Sequence, residues 1–229
     1  MFEGFPQNMT KFYEDLRENN SKDWFDANRE RYDADVMKPS RDFVEAMGLR
    51  LKEFSTDIHA VPKVNQSLFR IHRDTRFSEN KTPFKTNLAM VFWEGGNKRM
   101  ENSSFYFHYE PPNLLLGVGI YKFSKPVLQA YRDYVAHPKH AAELQQIITD
   151  LEAQDGYNNV WGKNYKKVPR GYDKDYEYAD LLLYDGITIG VETPTPAAFY
   201  TPDLIDYCAT QWAIMHPLHR WLVKMTATQ

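Results

Sequence analysis

The stretch SSFYFHYEPPNLLLGVGIY, residues 103–121, decides the fold. Two runs rich in aromatic and branched residues flank a Pro-Pro-Asn cluster, which predicts a β-hairpin between Ser104 and Tyr121 closed by Pro111, Pro112 and Asn113. Setting Phe105 and Phe107 against Val118 and Leu116 gathers four apolar side chains on one face. The other face then carries Ser104, Tyr106 and His108 opposite Gly119, Gly117 and Leu115. Glycine at two alternate positions removes side chains there, so that face is either packed closely by other groups or open as a shallow floor. This register requires a connection of even length.

Working outward, the runs QSLFRI and TNLAMVFW precede the hairpin and read as further short strands, giving a region of strands over 63–122. Residues 157–193 return to strand and loop, with ITIGV the clearest strand. Helical spacing fills the rest. Met9, Phe12, Tyr13 and Leu16 fall at i, i+3, i+4, i+7, and Ser21 is placed to cap a second helix whose stripe runs through Trp24 or Phe25, Tyr32 and Val36. Pro39 predicts a break or kink there, with Ser40 capping a continuation through Phe43, Val44, Met47, Leu51 and Phe54. Residues 1–56 thus form a helical N-terminal part. Residues 124–153 read as two helices split at His137-Pro138, the second carrying Ala142, Leu144, Ile147, Ile148 and Leu151. In 201–226 Thr201 caps a last helix with a stripe through Leu204, Ile205, Cys208, Trp212, Met215, Leu218, Leu222 and Met225, bent at Pro217. The expected fold class is α+β: an antiparallel sheet packed against N-terminal, middle and C-terminal helices in a single domain, since no repeat, low-complexity tract or long linker divides the chain.

With 229 residues, 42% of them hydrophobic, the chain can bury a full core. One cysteine, Cys208, rules out an internal disulfide, and the unpaired thiol together with a polar N-terminus lacking a leader points to the cytoplasm. The sequence offers no apolar run of about 20 residues, so no membrane role is expected. A net charge of −3 argues against coating nucleic acid through the overall field and makes local charge the informative quantity.

Local charge concentrates in FRIHRDTRFSENKTPFK, residues 69–85. Counted from Lys63, six cations (Lys63, Arg70, Arg73, Arg76, Lys81, Lys85) stand against two acids, Asp74 and Glu79. Arginine's planar fork suits bidentate recognition of phosphate or carboxylate, and lysines add point charge. Arg70, Arg73, Arg76, Lys81 and Lys85, with Arg170 from a later loop, are therefore candidate ligand-binding residues for an anionic small molecule. Tyr106 and His108 on the glycine-lined face are candidate acid and base groups. The same cations also suit an internal ion-pair network clamping the first helices to the sheet, and the residues leave that choice open.

The segment resembles a widespread bacterial and fungal family known only as a conserved domain of unknown function, whose recurring block FRI-x-RD-x-RFS-x-x-K-x-P-x-K is matched by Phe69, Arg70, Ile71, Arg73, Asp74, Arg76, Phe77, Ser78, Lys81, Pro83 and Lys85. The likeness extends to Gly4-Phe5, to Asn19, Asn20, Trp24 and Phe25, to Gly117 through Tyr121, and to VPRGYDKD at Val168 to Asp175. His72 and Phe84 stand where the family often has tyrosine, and the usual His-Pro after Asp175 is missing. The resemblance implies a fold and a shared polar constellation, without an activity, substrate or cofactor.

Other patterns carry less. His137 with His140 and His216 with His219 are three apart, but each pair encloses a proline and neither forms an HExxH helix, so no metal is expected. Gly117-Val-Gly119 lacks the third glycine of a dinucleotide site, and no cofactor is expected. Lys166, Lys167 and Arg170 beside Tyr165 and Tyr172 mix basic and aromatic groups as single-stranded nucleic-acid binders do; a solvated loop with packed tyrosines is the plainer reading. Three functions follow in order: binding of, or catalysis on, a phosphate- or carboxylate-bearing small molecule; a non-catalytic structural or interaction domain; and weak nucleic-acid binding. Whether the protein is an enzyme and what its oligomeric state is stay open.

Overall fold

A computed structural model describes residues 1–157 and 160–227. Its centre is a six-stranded antiparallel sheet of β1 (Ile58–His59), β2 (Leu88–Glu94), β3 (Ser103–Glu110), β4 (Asn113–Ile120), β5 (Trp161–Lys163) and β6 (Tyr184–Pro194), ordered β1-β2-β3-β4-β6-β5. With seven α-helices among the described residues, the chain is an α+β protein. The β3–β4 connection is two residues, Pro111 and Pro112, so its length is even. Phe105, Phe107, Leu116 and Val118 are all buried, while Ser104, Tyr106 and His108 are half-buried.

The described residues fall into two compact units interleaved along the chain. One lies within Met1–Phe92, Tyr106–Leu115 and Glu192–Thr210, the other within Trp93–Phe105, Leu116–Val191 and Gln211–Gln229.

In the first unit, α1 (Gln7–Glu18) buries Met9, Phe12, Tyr13 and Leu16, the four residues its spacing selects. Ser21 caps α2 (Lys22–Ala27) by accepting from the Trp24 amide, and Phe25, Tyr32 and Val36 are buried. The expected break at Pro39 takes another form. α3 (Arg29–Tyr32) passes through a π-helical turn at Asp33–Met37 directly into α4 (Lys38–Leu51). A wider turn accommodates a ring that has no N–H to give and would crowd the carbonyl four residues back. Ser40 caps nothing; its buried hydroxyl donates to the Val36 carbonyl at 2.6 Å. Helix α4 ends at Leu51, short of Phe54.

The N-terminal segment is held to the 197–200 turn by Phe5 N–H donating to the Phe199 carbonyl at 3.0 Å. Gly4, at φ +103°, permits this approach, because a Cβ there would lie 2.4 Å from the Tyr200 backbone. Phe5 then packs against Phe43, Phe107 and Phe199, which with Tyr109 form an aromatic core. QSLFRI is not a strand. Two bonds tie it to β2, Phe69 N–H to the Ala89 carbonyl and Val91 N–H to the Ser67 carbonyl, with a bridge between Leu68 and Met90, while turn bonds run from Ser67 and Leu68 back to Val61 and Lys63.

In the second unit, α5 (Lys125–Val135) and α6 (Pro138–Glu152) divide at His137-Pro138 as expected. On α6 it is Ala141, not Ala142, that is buried alongside Leu144, Ile148 and Leu151. At Gly119 a Cβ would lie 2.0 Å from the Ile187 carbonyl on the neighbouring strand β6, and φ +136° gives a second reason for glycine there. From α7 (Leu204–Thr226), Trp212, Met215, Leu218, Leu222 and Met225 are buried. The start of this helix belongs to the first unit, where Thr201 accepts from the Asp203 amide just ahead of it and Cys208, also buried, has its thiol pKa pushed up by burial.

A buried polar chain runs through the second unit. His219 Nδ1 lies 2.9 Å from Ser103 Oγ and His219 Nε2 lies 3.0 Å from Glu94 Oε2. Ser103 and His219 have no solvent exposure. Burial lowers the His219 pKa, against the opposing pull of Glu94.

Candidate functional site

Residues 71–85 leave the sheet of the first unit as a narrow excursion, closed at its base by Arg73 N–H to the Pro83 carbonyl (2.9 Å) and Lys85 N–H to the Ile71 carbonyl (2.8 Å). Asn20 fixes this base. Its amide nitrogen donates to the Phe84 carbonyl and its amide oxygen accepts from the Phe84 N–H, both at 3.0 Å. Phe25 of α2 stacks on Phe84 with centroids 4.2 Å apart. The attachment of the excursion to this helical part therefore uses an amide that mimics a strand neighbour, and an aromatic pair.

Within the excursion the cations are held differently. Arg76 and Asp74 form a two-pronged ion pair, Nε to Oδ1 at 2.9 Å and Nη2 to Oδ2 at 2.7 Å, which lowers the Asp74 pKa to about 2. Arg73 donates instead to the Thr82 carbonyl and hydroxyl and to Ser78 Oγ. Lys81 Nζ donates to the Thr75 carbonyl at 2.9 Å. Asn80 Oδ1 accepts from both the Thr82 amide and hydroxyl at 2.9 Å, completing the turn. Arg70 is exposed and within electrostatic reach of Asp74, and makes no hydrogen bond or ion pair among the described residues. Carbonyls and hydroxyls orient a cation without cancelling its charge, and these are the groups that hold Arg73 and Lys81. Phe77, at the tip, is 96% exposed with the Arg76 guanidinium 5.8 Å from its ring centroid.

The excursion meets the half-buried face of β3 through Phe69, whose ring lies edge-on to Tyr106 at 6.2 Å and has Lys85 Nζ 5.5 Å from its centroid. Alternation along β3 puts Tyr106, His108 and Glu110 on this one face. Tyr106 Oη is 3.1 Å from His108 Nδ1, and His108 Nε2 is 3.8 Å from Glu110 Oε2. Thr86 Oγ1 donates to Glu110 Oε1 at 2.9 Å, holding the carboxylate. Burial lowers the His108 pKa; Glu110 and Glu192 oppose the shift and Lys85 adds to it.

Of the residues singled out in the sequence, Arg70, Arg73, Arg76, Lys81, Lys85, Tyr106 and His108 all lie in the first unit. Arg170 belongs to the second, on an exposed loop. There Tyr172 donates to Asp133 at 2.7 Å and Tyr165 lies against Arg132, so both tyrosines of that basic loop are engaged within the protein. Glu110, Thr86 and Asn20 were not identified as site residues. Glu110 could have been found, two residues beyond His108 on the same face; Thr86 and Asn20 enter through contacts distant in sequence.

This combination, an α+β sheet with a basic excursion locked to a helical N-terminal part, defines the class. The chain belongs to the family described as a conserved hypothetical protein, DUF2461, whose profile matches residues 8–221. No curated protein matches it significantly. Among the described residues no helix is long and apolar enough to cross a membrane.

Proposed function

We propose that the first unit binds a small molecule bearing a phosphate or carboxylate group at the 71–85 excursion and the Phe69-Arg70 segment that leads into it. Arg73 and Lys81 supply oriented positive charge, and Arg70 and Lys85 add to the field. Tyr106 and His108 form the adjoining wall. The observation that carries this reading is the choice of partners: neutral oxygens hold Arg73 and Lys81, so their positions are prepared and their charge is intact. Arg76 contributes least, because Asp74 already fills its fork.

Amide and arginine side-chain NMR shifts across 70–85, followed while inorganic phosphate or acetate is added at constant ionic strength, test it. Saturable shifts centred on Arg73, Ser78 and Lys81, lost in Arg73→Ala, are expected. Shifts no larger than those produced by chloride would overturn it.

A second reading makes the excursion a non-catalytic structural element. It is favoured by the way Arg73 joins Thr82 to Ser78 across the turn. On that reading Arg73→Ala disorders the loop whether or not an anion is present.

A further inference from the structure

We propose that Tyr106, His108 and Glu110 form a proton relay whose working atom is the Tyr106 hydroxyl oxygen, acting on a hydroxyl group or water beside the bound anion. Placing the relay beside an anion rests on the binding reading above; the relay itself rests on the geometry of β3.

The order of groups sets the direction of proton flow. Glu110 faces His108 Nε2, and Thr86 restrains that carboxylate from its other side. At 3.8 Å the Glu110 carboxylate acts on Nε2 through its charge and not through a hydrogen bond; that charge favours the tautomer with the proton on Nε2 and leaves the Nδ1 lone pair to receive the Tyr106 hydroxyl at 3.1 Å. Carboxylate, imidazole and hydroxyl thus stand in the sequence by which a base oriented by a third group activates a hydroxyl. His108 is disposed to be neutral near pH 7, the form needed to take a proton. In the step, an O–H bond of the substrate hydroxyl or water breaks as its proton passes to Tyr106 Oη, while the Tyr106 proton passes to His108 Nδ1. Two protons shift in concert for a net transfer of one from the substrate to the imidazole; Tyr106 ends as it began, the oxyanion produced is the nucleophile, and the imidazolium is matched by Glu110. Positive charge from Lys85, which already acts on His108, lies on the side where the anion is expected. Tyr106 is the catalytic group in this scheme; Glu110 is a positioning residue.

N-acetylimidazole serves as the probe, since it acetylates tyrosine oxygen with loss of imidazole and needs the phenol proton removed. Acetylation is mapped by mass spectrometry on the full chain. Tyr106 is expected to react about 100-fold faster than in His108→Gln, the lower end of what a positioned base contributes. Equal rates in the two proteins, with both shown folded by their melting curves, overturn the relay. Glu110→Gln supplies an independent readout: 15N shifts of the His108 ring should report the Nε2–H tautomer in the parent and a lower His108 pKa in the variant. A dominant Nδ1–H tautomer in the parent also overturns it. Inorganic phosphate separates the two proposals. Protection of Tyr106 by phosphate supports both, whereas a fast, His108-dependent reaction indifferent to phosphate leaves the relay standing and removes the anion.

Discussion

Among the described residues a chain of hydroxyl, imidazole and carboxylate occurs in each unit, and their surroundings give the two different work. Ser103, His219 and Glu94 are sealed: the His219 side chain is 0% exposed and its contacts are 2.9 and 3.0 Å. Tyr106, His108 and Glu110 stand half in water, with His108 27% and Glu110 47% exposed and the carboxylate 3.8 Å away. In the sealed chain each polar atom depends on its neighbour, because water cannot replace a lost partner. In the open chain water can, so little stability is at stake. Solvent access, rather than residue type, separates a latch from a site.

The largest effect should appear when the sealed chain is cut. His219→Ala leaves Glu94 and Ser103 buried beside a cavity and is expected to cost about 3–5 kcal/mol in denaturant unfolding, against about 1 kcal/mol for His108→Ala. Replacing both residues, Glu94→Leu with His219→Leu, should recover much of that loss, because the buried carboxylate is then removed together with the imidazole. Equal costs at His219 and His108 would break the contrast.

A smaller effect is expected from pH. The folded-state pKa of His219 lies below its ordinary value, so the unfolded chain binds the extra proton first as pH falls. Stability at His219 is therefore full above about pH 6.5, the ordinary histidine value, and declines as pH drops through the window down to the folded pKa, by at most about 1.4 kcal/mol per pH unit. His108 shifts in the same direction and contributes with the same sign. Chemical denaturation at several pH values should show the decline flattened in His219→Gln more than in His108→Gln; the reverse order would place the sealed histidine's proton elsewhere.

Periodicity made most of the fold legible. The stripes of α1 and α7 and the alternation of β3 can be read because burial on one face writes itself into spacing. The response to Pro39 could not, since a break and a π-helical turn both relieve a missing N–H and only packing chooses between them. QSLFRI has strand composition, yet its backbone groups are divided between β2 and the turn at 61–68, a division set by contacts that no local pattern encodes. At the site, composition located the cations but not their partners. Whether an arginine meets a carboxylate or a carbonyl depends on how the chain folds back, and Arg73 and Arg76, three residues apart, differ in this respect.

That difference yields the smallest expected effect and separates a charge held ready from a charge already spent. Arg76 and Lys81 are exposed, and the Arg76 pair with Asp74 lies wholly within the excursion, where water competes for every bond. Exposed pairs of this kind contribute about 0–1 kcal/mol. Arg76→Ala with Lys81→Ala should therefore leave the melting temperature close to that of the parent, because the excursion is anchored by Asn20 on Phe84 and by the stacking of Phe25, which neither substitution touches. Lys81→Ala alone should weaken the phosphate-induced shifts, whereas Arg76→Ala should leave them nearly as they were. Loss of folding in the double variant would mean that these cations carry the architecture, and the prepared-charge reading of the excursion would give way to the structural one.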